Sequence, residues 1–308
     1  MTTALITHPD CLKHVTPDGH PECVARLQAI LRALQGVDFD TLQRIEAPLA
    51  DKAQILRVHP EDYFTRVQDA EPAQDWAMLD ADTHMTNGSY DAALRAAGAN
   101  IKAVDMVMAG DVDNAFCAVR PPGHHAETAT SMGFCLFGNV VIGAKHALEH
   151  HGLSRVAIVD FDVHHGNGTQ DLVWNDDRIL FVSTHQMPLY PGSGAAHETG
   201  GSGNVMNIPL APNSDGRAMK TAFESFILPA LYQQQPQMIF VSAGFDAHHA
   251  DPLANLNFDE DDFAWATRQL KIAAKELCQG RLVSTLEGGY DLDALAASTA
   301  AHVKVLME

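Results

Sequence analysis

The sequence predicts an α/β fold: one domain built on a parallel sheet, with helices covering both faces. Three observations lead there. Strand-like and helix-like stretches alternate along most of the chain, the pattern of βαβ units. Several strand candidates are short apolar runs rich in Val and Ile, such as Val156-Ala157-Ile158-Val159 and Met238-Ile239-Phe240-Val241. Runs of that kind mark strands buried on both faces. The chemically reactive residues gather just after such runs, where open α/β sheets bind ligands.

Taken in order, Ala4–Thr7 reads as a strand and the proline-bearing stretch His8–Pro21 as a loop. Glu22–Leu34 carries apolar residues at helical spacing, and Asp51–Val58 and Glu61–Gln68 read as shorter helices. Residues 69–87 are irregular. Ser89 has the chemistry of an N-cap for a long alanine-rich helix to Met108, with Gly110 as its stop. Ala115–Val119 is a strand. It runs into Arg120-Pro121-Pro122-Gly123-His124-His125, which the prolines exclude from helix and from central strand. Then follow helix Asn139–His150, strand Val156–Phe161, helix Gln170–Trp174, strand Ile179–Ser183 and the Pro/Gly-rich loop Pro188–Gly203. Strand Val205–Leu210 precedes a helix capped by Ser214 and reaching Tyr232. Strand Met238–Ser242, helix Asp259–Leu277, strand Arg281–Leu286 and helix Leu292–Leu306 complete the chain. No internal repeat, low-complexity tract or linker divides it.

With 308 residues, 46% hydrophobic and 19% charged, the composition is that of a globular protein with a sizeable core. The formal net charge of −19 argues against a nucleic-acid surface and for attraction to cationic partners such as lysine-rich peptides or polyamines. No apolar run is long enough to span a bilayer, so no membrane partner is expected. The N-terminal residues lack the basic region and apolar run of a signal peptide. Five cysteines make no disulfide framework and no zinc-ribbon spacing. A cytoplasmic location is the expectation.

The densest chemistry lies in Asp160-Phe161-Asp162-Val163-His164-His165-Gly166-Asn167-Gly168. In an extended backbone Asp160, Asp162 and His164 leave one face. Two carboxylates and an imidazole crowded together need compensation, and a divalent metal supplies it. Oxygen and nitrogen donors suit zinc, although a set this rich in oxygen also accepts iron(II). Asp246, after Ser242-Ala243-Gly244-Phe245, offers a third ligand and leaves room for water and a substrate carbonyl. His124 and His125 fit a general base and acid, with Asp160 fixing the tautomer of one of them. Tyr290, on a Gly-Gly turn, can donate its hydroxyl to a developing oxyanion. Taken one at a time, each has a plainer alternative: solvated loop residues, an Asx-turn at Asp246, a structural histidine pair, a packing tyrosine.

Together these residues resemble the histone deacetylase family of the arginase–deacetylase superfamily. The resemblance rests on Arg120-Pro121-Pro122-Gly123-His124-His125-Ala126, Gly133-Phe134-Cys135, Asp160 to Gly168, Ser242-Ala243-Gly244-Phe245-Asp246 and Glu287-Gly288-Gly289-Tyr290, in the family's order. It implies an arginase-like fold with a central eight-stranded parallel sheet, a single deacetylase domain over 1–308, and a zinc-dependent amidohydrolase removing acyl groups from amines. Asp162, His164 and Asp246 match the zinc ligands. His124 and His125 match the tandem histidines, with His125 as base and acid, and Tyr290 matches the tyrosine that polarises the scissile carbonyl. Gly133, Phe134 and Tyr190 match the walls of the acyl-lysine channel, and Asp82 an aspartate at its rim. Asp160, Asp162, His164, Ser183 and Thr184 match the positions that hold potassium.

Two departures refine that picture. Asn167 stands where some members pair an aspartate with the second histidine. Asparagine cannot stabilise an imidazolium by charge, so His125 is expected to titrate lower, as in class II members. Leu253 stands where polyamine-selective relatives carry a glutamate, which favours acyl-lysine proteins or peptides over acetylated polyamines as substrate. An acetylpolyamine amidohydrolase is the first rival. A non-catalytic acetyl-lysine binder is a second, against which the intact Tyr290 counts. An arginase-type site with two manganese ions would need more aspartates. The loop Pro188–Gly203 and the N-terminal loop are candidate surfaces for a homo-oligomer.

Overall fold

The computed structural model describes all residues, 1–308. The chain runs through β1 (Thr3–Thr7), α1 (Val24–Ala33), β2 (Gln43–Glu46), α2 (Lys52–Ile55), α3 (Glu61–Asp69), β3 (Ala77–Met78), β4 (His84–Met85) and α4 (Ser89–Ala109). It continues through β5 (Asn114–Cys117), α5 (Asn139–Glu149), β6 (Val156–Asp160), α6 (Asn167–Val173), β7 (Ile179–Gln186) and β8 (Val205–Leu210). The last elements are α7 (Gly216–Ala222), α8 (Leu228–Gln234), β9 (Ile239–Ala243), α9 (Glu260–Cys278), β10 (Leu282–Leu286) and α10 (Leu292–Met307).

Eight strands form one sheet in the order β2-β1-β5-β10-β9-β6-β7-β8, and every pairing in it is parallel. This is the expected α/β architecture. Its central strands are buried along their whole length, as their unbroken apolar runs require. Neighbouring residues of β10 show that helices cover both faces. Ser284 pairs with His302 of α10 at 2.8 Å, and Thr285 donates to Asn100 of α4 at 2.7 Å. Adjacent strand residues point to opposite faces, so α10 and α4 lie on opposite sides of the sheet. α9 and α1 pack against α10, and α5 packs against α4. No helix is long and apolar enough to cross a membrane.

Several local expectations are corrected. β2 completes the sheet at one edge, yet Gln43-Arg44-Ile45-Glu46 is polar and largely exposed, so it carries no apolar signal. Residues 69–87 contain the two-stranded β3/β4 sheet, and Pro9–Leu12 makes one 3-10 turn inside the first loop. Gly88, at φ 93°, is the N-cap of α4, and Ser89 is its first helical residue, whose hydroxyl accepts from the Thr86 amide at 2.8 Å. Gly110 does stop that helix, at φ 77°. Asp215 rather than Ser214 caps α7, and a π-helical turn at Phe223–Ile227 separates α7 from α8. α6 starts at Asn167, and β7 runs on through Gln186, which puts Ser183 and Thr184 inside a strand.

Candidate active site

Four neighbouring central strands, β5, β10, β9 and β6, run in parallel and release their loops at one edge of the sheet. Those loops carry His124 and His125, Glu287 to Tyr290, Asp246, and Asp162 to His165 respectively, with Asp160 the last residue of β6. β6 itself stops at Asp160, so the strand alternation expected through His164 is not what gathers these side chains. A staircase of side chain to backbone bonds does so instead. Asp160 Oδ1 accepts from the Asp162 amide at 3.0 Å, and Asp162 Oδ1 accepts from the His164 amide at 2.9 Å. Asp160 is turned away from the metal-type cluster and toward His124.

Asp162, His164 and Asp246 are all buried, and their ligand-type atoms lie within 4.8 Å of one another. His164 Nδ1 is 3.2 Å from Asp162 Oδ1 and 3.1 Å from Asp246 Oδ2. Burial works against a charged His164, yet its bonds to Asp162 and Asp246 push it up to about 10. The trio therefore demands positive charge at its centre, as a divalent cation would provide, and two carboxylates with one imidazole are a suitable donor set. The outer carboxylate oxygens are held by backbone: Gly288 N–H donates to Asp162 Oδ2 at 2.8 Å and Val163 N–H to Asp246 Oδ1 at 2.9 Å. Such outer bonds orient ligands. A Cβ at Gly244 or Gly288 would collide with Asp162 or Asp246, so close backbone approach requires glycine there.

His124 and His125 stand with ring centroids 4.0 Å apart. His124 Nδ1 lies 3.0 Å from Asp160 Oδ2. Burial opposes charge on His124, but the Asp162 and Asp160 carboxylates outweigh it and raise it well above the ordinary histidine range. Burial pushes Asp160 up from the usual carboxylate range, and the charge and hydrogen bond of His124 oppose that rise. His125 Nδ1 lies 2.7 Å from Asn167 Oδ1, while Asn167 Nδ2 donates to Glu127 at 2.7 Å. With the amide donors committed to Glu127, the oxygen faces His125 and accepts its Nδ1–H, leaving Nε2 with a free lone pair. Burial, then the charges of His124 and His164, hold His125 well below the usual histidine value.

A channel leads down to these groups. Its walls include Gly133, Phe134, Tyr190 and Leu253, with Asp82 at the rim and His125, His164 and Tyr290 among its lining. Every wall and rim residue expected from the sequence is present, and Leu189 joins them. Gly133, at φ 55°, lies against the His125 ring, where a Cβ would clash. Asp82 Oδ1 accepts from the Gly133 amide at 3.1 Å, which ties the rim to the wall. Tyr290 faces Phe134 edge-on at 5.9 Å. Burial raises its hydroxyl well above 10, so it remains a proton donor. On the far side of the site, Thr184 Oγ1 lies 3.5 Å from the Asp160 carbonyl, and Ser183 is the register partner of Asp160.

Sequence reasoning missed the supports of this site. Asp251 accepts from the Tyr290 amide at 2.7 Å. Arg26 donates to the carbonyls of Glu287 and Gly289 and stacks 4.8 Å from the Tyr290 ring centroid. The Glu287 carboxylate accepts from the Gly123 and His124 amides at 2.7 and 3.1 Å. Only Glu287 lay in a stretch that the sequence singled out, the Glu287-Gly288-Gly289-Tyr290 motif directly after the last strand; Arg26 and Asp251 sit in ordinary-looking stretches.

The Asp162/His164/Asp246 cluster could hold a divalent metal, and it lies beside an imidazole base and a tyrosine O–H donor, the combination that a metal-assisted hydrolase uses. The histone deacetylase domain model matches residues 20–306. The chain is 41% identical to chloroplastic histone deacetylase 14 of Arabidopsis thaliana, over 94% of this chain and 73% of that one. It is 40% identical to a histone deacetylase-like amidohydrolase of Pseudomonas aeruginosa, over 88% and 73% of the two chains. The crystal structure of the HDA15 HD domain superposes with a TM-score of 0.94 at 33% identity, covering 99% of this chain and 88% of that one. The chain belongs to the histone deacetylase family, and it is a deacetylase.

Proposed function

We propose that this chain, as one deacetylase domain over 1–308, hydrolyses the acyl amide of acyl-lysine side chains in proteins or peptides. The observation that carries the reading is the channel. Apolar walls at Phe134, Tyr190 and Leu253 suit the four methylenes of a lysine stem, and they end at His125, His164 and Tyr290. Asp162, His164 and Asp246 would hold zinc. A divalent ion there supplies a Lewis acid for the acyl oxygen and makes a water more acidic. Asp160, Asp162, His164, Ser183 and Thr184 would hold a structural potassium ion, a reading supported by the approach of Thr184 to the Asp160 carbonyl.

The remaining steps belong to side chains. Tyr290 donates its O–H to the acyl oxygen, favouring the carbonyl carbon for attack and stabilising the negative charge that develops. His125 Nε2 takes a proton from water as the water oxygen bonds to the acyl carbon. His124 keeps its own proton through Asp160 and holds positive charge beside the tetrahedral centre. His125 then returns its proton to the nitrogen as the C–N bond breaks, giving a carboxylic acid and an amine, and proton transfer between them leaves a carboxylate and an ammonium. Asp82 at the rim can accept a backbone N–H from a peptide. Five unpaired cysteines support a reducing, cytoplasmic setting.

An acetylated polyamine remains the alternative substrate, favoured by the net charge of −19 and disfavoured by Leu253, which gives a cationic chain nothing to pair with. Turnover of an acetyl-lysine peptide and of acetylputrescine, on zinc-loaded and chelator-treated protein, tests the proposal. Metal-dependent turnover preferring the peptide is expected. Preference for acetylputrescine would replace the substrate class, and turnover that survives full chelation would contradict the metal assignment.

A further inference from the structure

A second group of metal-binding side chains stands in the helical layer, away from the strand ends. Asp105 belongs to α4, His146 to the last turn of α5, and His150 and His151 follow that helix directly. Their candidate ligand atoms all lie within 4.8 Å of one another. Asp105 Oδ1 is 2.7 Å from Nε2 of both His146 and His151. The rings of His146 and His150 stack at 4.7 Å, and the ring of His151 meets that of His150 edge-on at 4.9 Å. We propose that Asp105, His146, His150 and His151 form a second site for a divalent transition metal, independent of the Asp162/His164/Asp246 cluster, which fastens the end of α5 to α4.

Three imidazoles and one carboxylate favour zinc, copper(II) or nickel(II) over magnesium or calcium, which seek oxygen. Four donors are enough to close a tetrahedral zinc shell with no place left for substrate, the form of a structural site. Ordinary hydrogen bonding accounts for His146 and His151, which share one carboxylate oxygen. It does not account for His150, which is exposed, makes no side-chain hydrogen bond and yet stacks on the group. His146 and His150 are one helical turn apart, so one helix face presents both. The C-terminal end of α5 also carries the partial negative charge that a cation prefers. Arg57 is the competitor, with Nη1 2.8 Å from His146 Nδ1. Its Nε lies 3.7 Å from Glu149, a partner that keeps it when His146 is engaged by metal. The brace bears on the active site through the other end of α5, where Asn139 Nδ2 donates to the Pro121 carbonyl just before Gly123 and the tandem histidines.

The test compares the wild-type chain with His150→Gln/His151→Gln after both are equilibrated with low-micromolar zinc, freed of unbound metal and assayed for zinc by mass spectrometry. The strand-end cluster contributes equally to both proteins, so the difference reads the second site alone. Wild type is expected to retain one more zinc per chain than the double variant, and added zinc should raise its melting temperature more. Equal zinc content in the two folded proteins overturns the proposal. If the double variant fails to fold, His150→Gln alone serves, because that side chain is exposed and bonds to nothing; it should lower zinc content, and an unchanged content is again contradictory.

Discussion

His124 and His125 are adjacent in the chain and buried side by side, yet they are built into the molecule in opposite ways. His124 meets a carboxylate, Asp160, at 3.0 Å, and lies 3.8 Å from a second, Asp162. His125 meets a neutral amide, Asn167, at 2.7 Å. Burial is common to both rings, so the neighbouring charges separate them: carboxylates face His124, while His125 meets a neutral amide and the positive charge of His124 and His164. His124 is kept cationic, and His125 is kept neutral with its Nε2 lone pair free. One ring becomes a fixed charge and the other a base, from the same side chain one residue apart.

The largest expected effect breaks the pair directly. His125→Ala should lower kcat by about a thousandfold, within the range for loss of a general base, while His124→Ala should cost roughly a tenth of that. Matched losses would mean that the two rings share one role. Next comes Tyr290→Phe, which removes an oxyanion donor but leaves both histidines in place. It should lower kcat by about a hundredfold with little change in KM, and a rate equal to wild type would take Tyr290 out of the chemistry. Asp160→Asn then probes the charged half alone. It should slow turnover by about tenfold, as for other carboxylates that orient a functional side chain, and leave the acid limb of the kcat/KM profile in place or slightly higher. A less cationic His124 repels the His125 imidazolium less and can only move a His125 limb upward, so a limb displaced to lower pH would show that His124, not His125, sets it.

The reactive half of this picture could be read from the chain because its residues are chemically scarce and end buried apolar strands. Asp162, His164, Asp246, His124, His125 and Tyr290 do converge, and Asn167 does face His125. The means of convergence could not be read. An extended run from Asp160 to His164 was expected, but Asx-type bonds turn the chain after Asp160, and no spacing rule distinguishes the two. Arg26 reaches Gly289 from 263 positions away, a contact that only the assembled sheet creates. β2 was invisible for the converse reason: a polar edge strand is held by the backbone of β1 and needs no apolar residues of its own.

The pH dependence of kcat/KM for Asn167→Asp, set beside wild type, is the most direct test of the division between the two histidines. His125 must be neutral to take a proton, so activity falls as pH drops through its pKa. A carboxylate in place of Asn167 favours the imidazolium and raises that pKa. The acid limb should move to higher pH by about one unit, the scale of a single charge partner, with less change at the alkaline end. An acid limb that stays in place would contradict the assignment of His125 as the neutral base governed by Asn167.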